Sequence, residues 1–149
     1  MEIRKILFPT DFTEGALAAL PYAVDLAKSY KARLYLLHVI YDIGASTGLN
    51  VPIVSFDALY DEMEKGAQEE LENFGCGTRE GYGDCECSVA RGVPYEVILK
   101  FAADKGIDLI VMGTHGRRGI DRMIFGSTAE KVVRYADCPV LTVKSQTGK

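Results

Sequence analysis

The chain has 149 residues, 48% hydrophobic and 26% charged, with a mean hydropathy of +0.03, which suits one domain with its own core and excludes a disordered chain. A formal net charge of −4 and a pI near 5.2 exclude nucleic-acid binding through a bulk basic face, leaving room only for a local basic site. No apolar run approaches the roughly 18 residues of a membrane span.

The opening MEIRKILFPTDF lacks a long apolar leader region and a small-residue cleavage site, so a cytoplasmic protein is expected. Within it, KILFP from Lys5 is a short apolar run without alternation, the pattern of a strand covered on both faces. From Glu14 to Tyr30 the residues Leu17, Leu20, Val24 and Ala27 follow helix spacing, with Thr13 as N-cap and Phe12 placed to staple against Leu17. Pro21 removes a backbone donor in the middle of this segment, so the helix either kinks there or starts later.

A second buried strand, RLYLLHVI, starts at Arg33. The connection from Tyr41 to Ser55 is long and rich in turn-forming residues, which suits a flap or an irregular loop. A covering helix from Phe56 to Phe74 carries Leu59, Met63, Ala67 and Leu71 on one stripe. CECSVAR from Cys85 alternates polar and apolar residues, the sign of a half-exposed strand near a sheet edge. A helix starts at Pro94 and runs to Gly106, DLIVMG from Asp108 is a buried strand, and Ser127 with Glu130 suggests a capping box for a helix ending near Tyr135. CPVLTV from Cys138, a further undivided apolar run, reads as a last strand covered on both faces, and residues 146–149 are expected to be a disordered tail after a single domain of residues 1–145.

Strands that alternate with helices imply an α/β fold with a parallel sheet and helices on both faces. Ligands in such folds bind beyond the carboxyl ends of the strands, where neighbouring strands send their helices to opposite sides. There the stretch MGTHGRRGIDRMIFGST, from Met112 to Thr128, follows a strand and precedes a helix. Its glycines permit close backbone approach, and a helix start offers N–H groups and a positive dipole end, together a recipe for an anion site. The spacing is neither that of a P-loop nor that of the dinucleotide fingerprint.

What does occur is G-x-x-G-x(9)-G-S, formed by Gly113, Gly116, Gly126 and Ser127. With KILFPTDFTEGA, LLHVI, DLIVMGTHGRRG and GSTAEKVVRYADCPVLTV in that order, the chain resembles the universal stress protein family, in its ATP-binding branch. The resemblance implies a three-layer sandwich of the adenine nucleotide alpha hydrolase-like kind, with five parallel strands in the order 3-2-1-4-5. It implies ATP across the ends of the first and fourth strands, with AMP or ADP as other candidates. Pro9, Thr10 and Asp11 would then lie near ribose and phosphates, Val39 near the adenine edge, and Met112 and Gly113 beside base and sugar. Gly116, Arg117, Gly126, Ser127 and Thr128 would hold the phosphates, and Asp11 would face a ribose hydroxyl or an ATP-bound Mg²⁺. The resemblance also implies a homodimer joined through the last strand, from Pro139 to Val143.

A nucleotide-dependent regulatory module in the stress response is the favoured function. A slow ATPase or phosphotransferase is the alternative, less favoured because no general base stands out; a nucleotide-free scaffold dimer fits the intact glycine spacing poorly. His115 suits loop structure or ligand contact better than acid–base catalysis, and His38 lies in a buried-looking strand where packing is its expected role. Cys76, Cys85 and Cys87 cluster without a CxxC or a nearby fourth ligand, so ordinary thiols are favoured over zinc, with a Cys76–Cys85 disulfide as the minor case.

Overall fold

The computed structural model describes residues 1–42, 57–74, 76, 82–115 and 125–145. Five strands, β1 (Lys5–Pro9), β2 (Arg33–Tyr41), β3 (Cys85–Gly92), β4 (Leu109–Gly113) and β5 (Val140–Val143), form one parallel sheet in the order β3-β2-β1-β4-β5. The parallel sheet is the one the residue patterns predict, and its strand order is the one the family resemblance implies. Helices α1 (Glu14–Leu17), α2 (Leu20–Tyr30), α3 (Asp57–Phe74), α4 (Pro94–Lys105) and α5 (Ser127–Tyr135) connect and cover the strands. The expected flap between Tyr41 and Ser55 lies, from residue 43 onward, outside the described residues, as does the tail at 146–149.

Strand periodicity sorts the core into two layers. On β1, Ile6 and Phe8 face one side and Leu7 the other; Leu34 and Leu36 against Tyr35 and Leu37 repeat the division on β2, and Leu109 and Val111 against Ile110 and Met112 on β4. The first layer packs on Ala19, Ala23 and Ala27 of the α1–α2 unit and Leu71 of α3, the second on Ile98 of α4 and Ala129 and Val132 of α5. Ile6, Leu7, Leu36 and Val111 are fully buried, each contributing about 1.5–3 kcal/mol relative to exposure. The helix following β1 therefore lies on one face and the helix following β4 on the other, so the topological switch falls between these adjacent strands.

Two expectations about helix starts are corrected. The segment 14–30 is two helices, not one: α1 ends at Leu17, and α2 begins at Leu20 with Pro21 in its first turn, where a missing N–H costs nothing. Thr13 does cap α1, its hydroxyl accepting from the Ala16 N–H at 3.3 Å, but the Phe12 ring stacks on His38 and Phe74, with centroids at 4.5 and 5.9 Å. At the start of α5, Gly126 is the N-cap and Ser127 the first helical residue; there is no side-chain cap bond and hence no Ser127–Glu130 capping box. The Gly126 carbonyl accepts the first helical bond, from the Glu130 N–H at 3.0 Å, so the helix starts one residue earlier than a Ser127 cap would set it.

The favoured reading of the cysteines is also corrected. Cys76, just past α3, and Cys85, first residue of β3, form a disulfide with Cα atoms 5.4 Å apart, while Cys87 and Cys138 are free and half-buried. A short return from helix to strand brings the pair into reach, a proximity that sequence separation alone does not encode.

Candidate functional site

The site is built at the carboxyl ends of β1 and β4. β1 ends at Pro9, buried and level with Leu37 of β2, and the Thr10 N–H continues the ladder by donating to the Leu37 carbonyl at 2.9 Å. Thr10 is buried, and its hydroxyl accepts from the Phe12 N–H at 3.0 Å. The chain then turns sharply. Phe12 adopts a φ of +65°, a left-handed conformation unfavourable for a bulky side chain, which its stacking on His38 and Phe74 helps to hold. Asp11 fixes the same turn through Oδ1, which accepts from both the backbone N–H and the hydroxyl of Thr13.

His38 has the packing role expected of it and a second one. Its Nδ1 lies 2.8 Å from the Thr10 carbonyl oxygen; since a carbonyl only accepts, Nδ1 carries the proton. A buried ring thus pins the backbone of the β1 exit from the neighbouring strand. Val39, the next residue, is half-buried and near the end of β2, opposite Ala90 of β3.

From β4, Met112 is buried in the α4–α5 layer and Gly113 points the other way, toward α1. A Cβ at Gly113 would stand 2.4 Å from the Gly15 carbonyl oxygen and 2.9 Å from the Ala16 Cα, and one at Gly15 would stand 2.8 Å from the His115 carbonyl oxygen. Two glycines facing each other therefore allow α1 to abut the β4 exit backbone to backbone. The glycine requirement at Gly113 is met by this packing before any ligand is considered. Thr114, which no motif in the sequence singles out, is the hub: its N–H donates to the Val143 carbonyl at 3.1 Å, its carbonyl accepts from Gly126 at 2.6 Å, and its hydroxyl lies 2.9 Å from His115 Nδ1.

That bond to Gly126 brings the start of α5 to the end of β4. Gly126 and Thr128 are half-buried and Ser127 is exposed. The first-turn N–H groups of a helix have no partner within the helix, and the N-cap here, Gly126, has no side chain to offer them. Of the residues expected at the site, Pro9, Thr10, Asp11, Val39, Met112, Gly113, Gly126, Ser127 and Thr128 thus converge on one end of the sheet, whereas Gly116 and Arg117 lie outside the described residues. Thr114 and Gly15 were the residues missed. The only signal for them was their place within T-H-G and E-G-A.

Comparison with known proteins agrees with this architecture. The family model described as the universal stress protein family matches residues 2–144. Universal stress protein MJ0531 of Methanocaldococcus jannaschii is 36% identical over 141 residues, 95% of this chain and 82% of that protein. Universal stress protein MJ0577 of the same organism is 34% identical over 159 residues, covering 97% of each chain. The solved structure of MJ0577 superposes with a TM-score of 0.80 at 29% identity, covering 99% of this chain and 100% of that one. UspA from Lactobacillus plantarum gives 0.70 at 25% identity over 96% and 99%. With the family match spanning nearly every residue and the sheet order in agreement, the chain belongs to the universal stress protein family.

Proposed function

We propose that the protein is an adenine-nucleotide-binding regulatory module of the stress response, with ATP as its ligand, working as a homodimer in the cytoplasm. The observation that carries this reading is the glycine-capped start of α5, held by the Gly126–Thr114 bond at the switch between β1 and β4. Backbone N–H groups at such a terminus, with the positive dipole end behind them, suit a phosphate. Ser127 and Thr128 add hydroxyls, and we assign Gly116 and Arg117 to the phosphates as well. Pro9, Thr10 and Asp11 take the ribose side, with Asp11 turned to a ribose hydroxyl or to Mg²⁺ carried on the phosphates; Val39, Met112 and Gly113 take the base and sugar.

Fold neighbours support an adenine ligand. One universal stress protein was solved in complex with cAMP and another, from Arabidopsis thaliana, with AMP bound, at TM-scores of 0.65 and 0.57 and identities of 20% and 18%. They share the fold, and that fold accommodates adenine nucleotides in them. The dimer reading rests on β5, an edge strand paired only with β4 in the sheet, whose Leu141 is exposed. An apolar edge of this kind invites a second copy in an isologous contact.

The test is to denature freshly purified protein and identify the released nucleotide by chromatography. ATP in near-stoichiometric amount is the expected result. Protein that releases no nucleotide, and takes none up when incubated with ATP, contradicts the reading.

A further inference from the structure

At the opposite end of the sheet from the site above, three sulfurs meet. Cys85 and Cys87 share one face of β3 at its start, and Cys76 closes on them from the end of α3. The three Sγ atoms lie within 4.8 Å of one another, all on half-buried residues packed against the α2–α3 layer of the core. About 2.3 Å is the usual zinc–sulfur distance, so thiolates around one ion stand about 4 Å apart. Cys76 and Cys85, joined by a bond of about 2 Å, part by about a further 2 Å to reach that spacing, while Cys87 already lies within 4.8 Å of both.

We propose that these cysteines form a redox-gated cation site: closed while Cys76 and Cys85 are joined, and, once they are reduced, binding one soft divalent cation of the zinc class through Cys76, Cys85 and Cys87. Opening requires a thiol reductant. Two of its thiols give up two electrons and two protons and become a disulfide, while the Cys76–Cys85 bond breaks into two thiols. Binding then releases three protons to solvent and forms three metal–sulfur bonds, with a water in the fourth position, the coordination that three-ligand zinc sites retain. Soft thiolates select this class of cation over Mg²⁺, which keeps the site separate from any nucleotide-bound magnesium.

The electrostatic setting agrees with a cation. The Glu72 and Glu86 carboxylates both act electrostatically on Cys87, so the cluster sits in negative surroundings. A divalent ion supplies the charge opposite to those carboxylates and to the thiolates. Cys138 is remote in the fold, on the β4–β5 side within the other core layer, and serves as the internal control.

The experiment uses the full chain, reduced with a phosphine, desalted without oxygen and titrated with Co²⁺ as a spectroscopic probe, followed by Zn²⁺. The expected result is one equivalent of Co²⁺ with sulfur-to-metal charge-transfer absorption, displaced by Zn²⁺. The air-oxidised protein, with two titratable thiols, should lack that signature. Cys87→Ser and Cys87→Ala should lose it in the reduced state while keeping the wild-type circular dichroism, and Cys138→Ser should keep it. Equal binding by reduced and oxidised protein, four free thiols in the oxidised sample, or an unchanged signature in folded Cys87 variants would each overturn the proposal.

Discussion

The Gly126 N–H donates to the Thr114 carbonyl at 2.6 Å, while the Thr114 N–H donates to the Val143 carbonyl at 3.1 Å. One residue thereby ties the exit of β4 to the start of α5 and to the edge strand β5. Gly126→Pro removes the first donor at a φ of −71° that proline tolerates. We expect a loss of about 1 kcal/mol in denaturant titration. ATP affinity by calorimetry should fall about tenfold, equivalent to about 1.4 kcal/mol. Unchanged ATP affinity would separate this bond from the proposed site.

The glycines divide into two kinds. Gly113→Ala and Gly15→Ala each drive a methyl group into backbone atoms, and overpacking of this kind typically costs about 1–3 kcal/mol. Gly66 lies within α3, and a methyl group added there would meet nothing within 4 Å, so Gly66→Ala should stabilise by about 0.5–1 kcal/mol. Thermal melts of the three variants check this, and a neutral Gly113→Ala would contradict the close packing of α1 on β4.

His38→Leu keeps an apolar body in the core and deletes the bond to the Thr10 carbonyl. A buried acceptor left without its donor costs about 1–3 kcal/mol. The loss should appear in chemical denaturation, together with faster hydrogen exchange at the Phe12 and Thr13 amides, whose bonds lie in the turn that His38 supports. Wild-type exchange at both amides would show that the ring only fills space.

Cys87 supplies a pH dependence. Its thiol is raised from 9.0 to about 11 by burial and by Glu72, so the folded state keeps a proton that the unfolded chain has lost. The unfolded state then binds fewer protons, and stability falls with rising pH across the window from about 9 to about 11. In a Cys138→Ser background, the alkylation rate of Cys87 should rise more than about tenfold between pH 9 and 10.5, where a thiol at the ordinary value of 9.0 only about doubles. A rise of only about twofold that levels off by pH 10.5 would contradict the assignment.

Leu141 is exposed on the edge strand. If β5 joins two copies, Leu141→Lys should convert dimer to monomer in light scattering, and the wild-type protein should be a dimer in the same buffer. A dimer that survives the substitution would move the interface elsewhere.

Much of the fold was legible because strand and helix periods are strong local signals. The undivided apolar runs at Lys5, Arg33 and Leu109 became the central strands and the alternating run at Cys85 became an edge, but the undivided run at Cys138, read as covered on both faces, is the other edge, with Leu141 exposed. Expectation failed where tertiary contact decides. α5 begins from Gly126, which is tied to the Thr114 carbonyl, and not from a Ser127 side-chain cap, and Phe12 turns to His38 and Phe74 because β2 and α3 present those rings, across a long separation in sequence. Gly113 was legible as a special residue but not its reason, since the atoms it makes room for belong to α1. The Cys76–Cys85 pair was hidden for a similar cause: helix end and strand start meet only after the sheet has formed.

The most direct test of nucleotide binding is a melting scan of nucleotide-stripped protein against ATP concentration. At 1,000 times the dissociation constant, a ligand that binds only the folded state stabilises it by about 4 kcal/mol, so the midpoint should rise progressively with ATP and the rise should shrink in Gly126→Pro. No shift with ATP, ADP or AMP at millimolar concentration, with or without Mg²⁺, would contradict nucleotide binding at the β1–β4 switch.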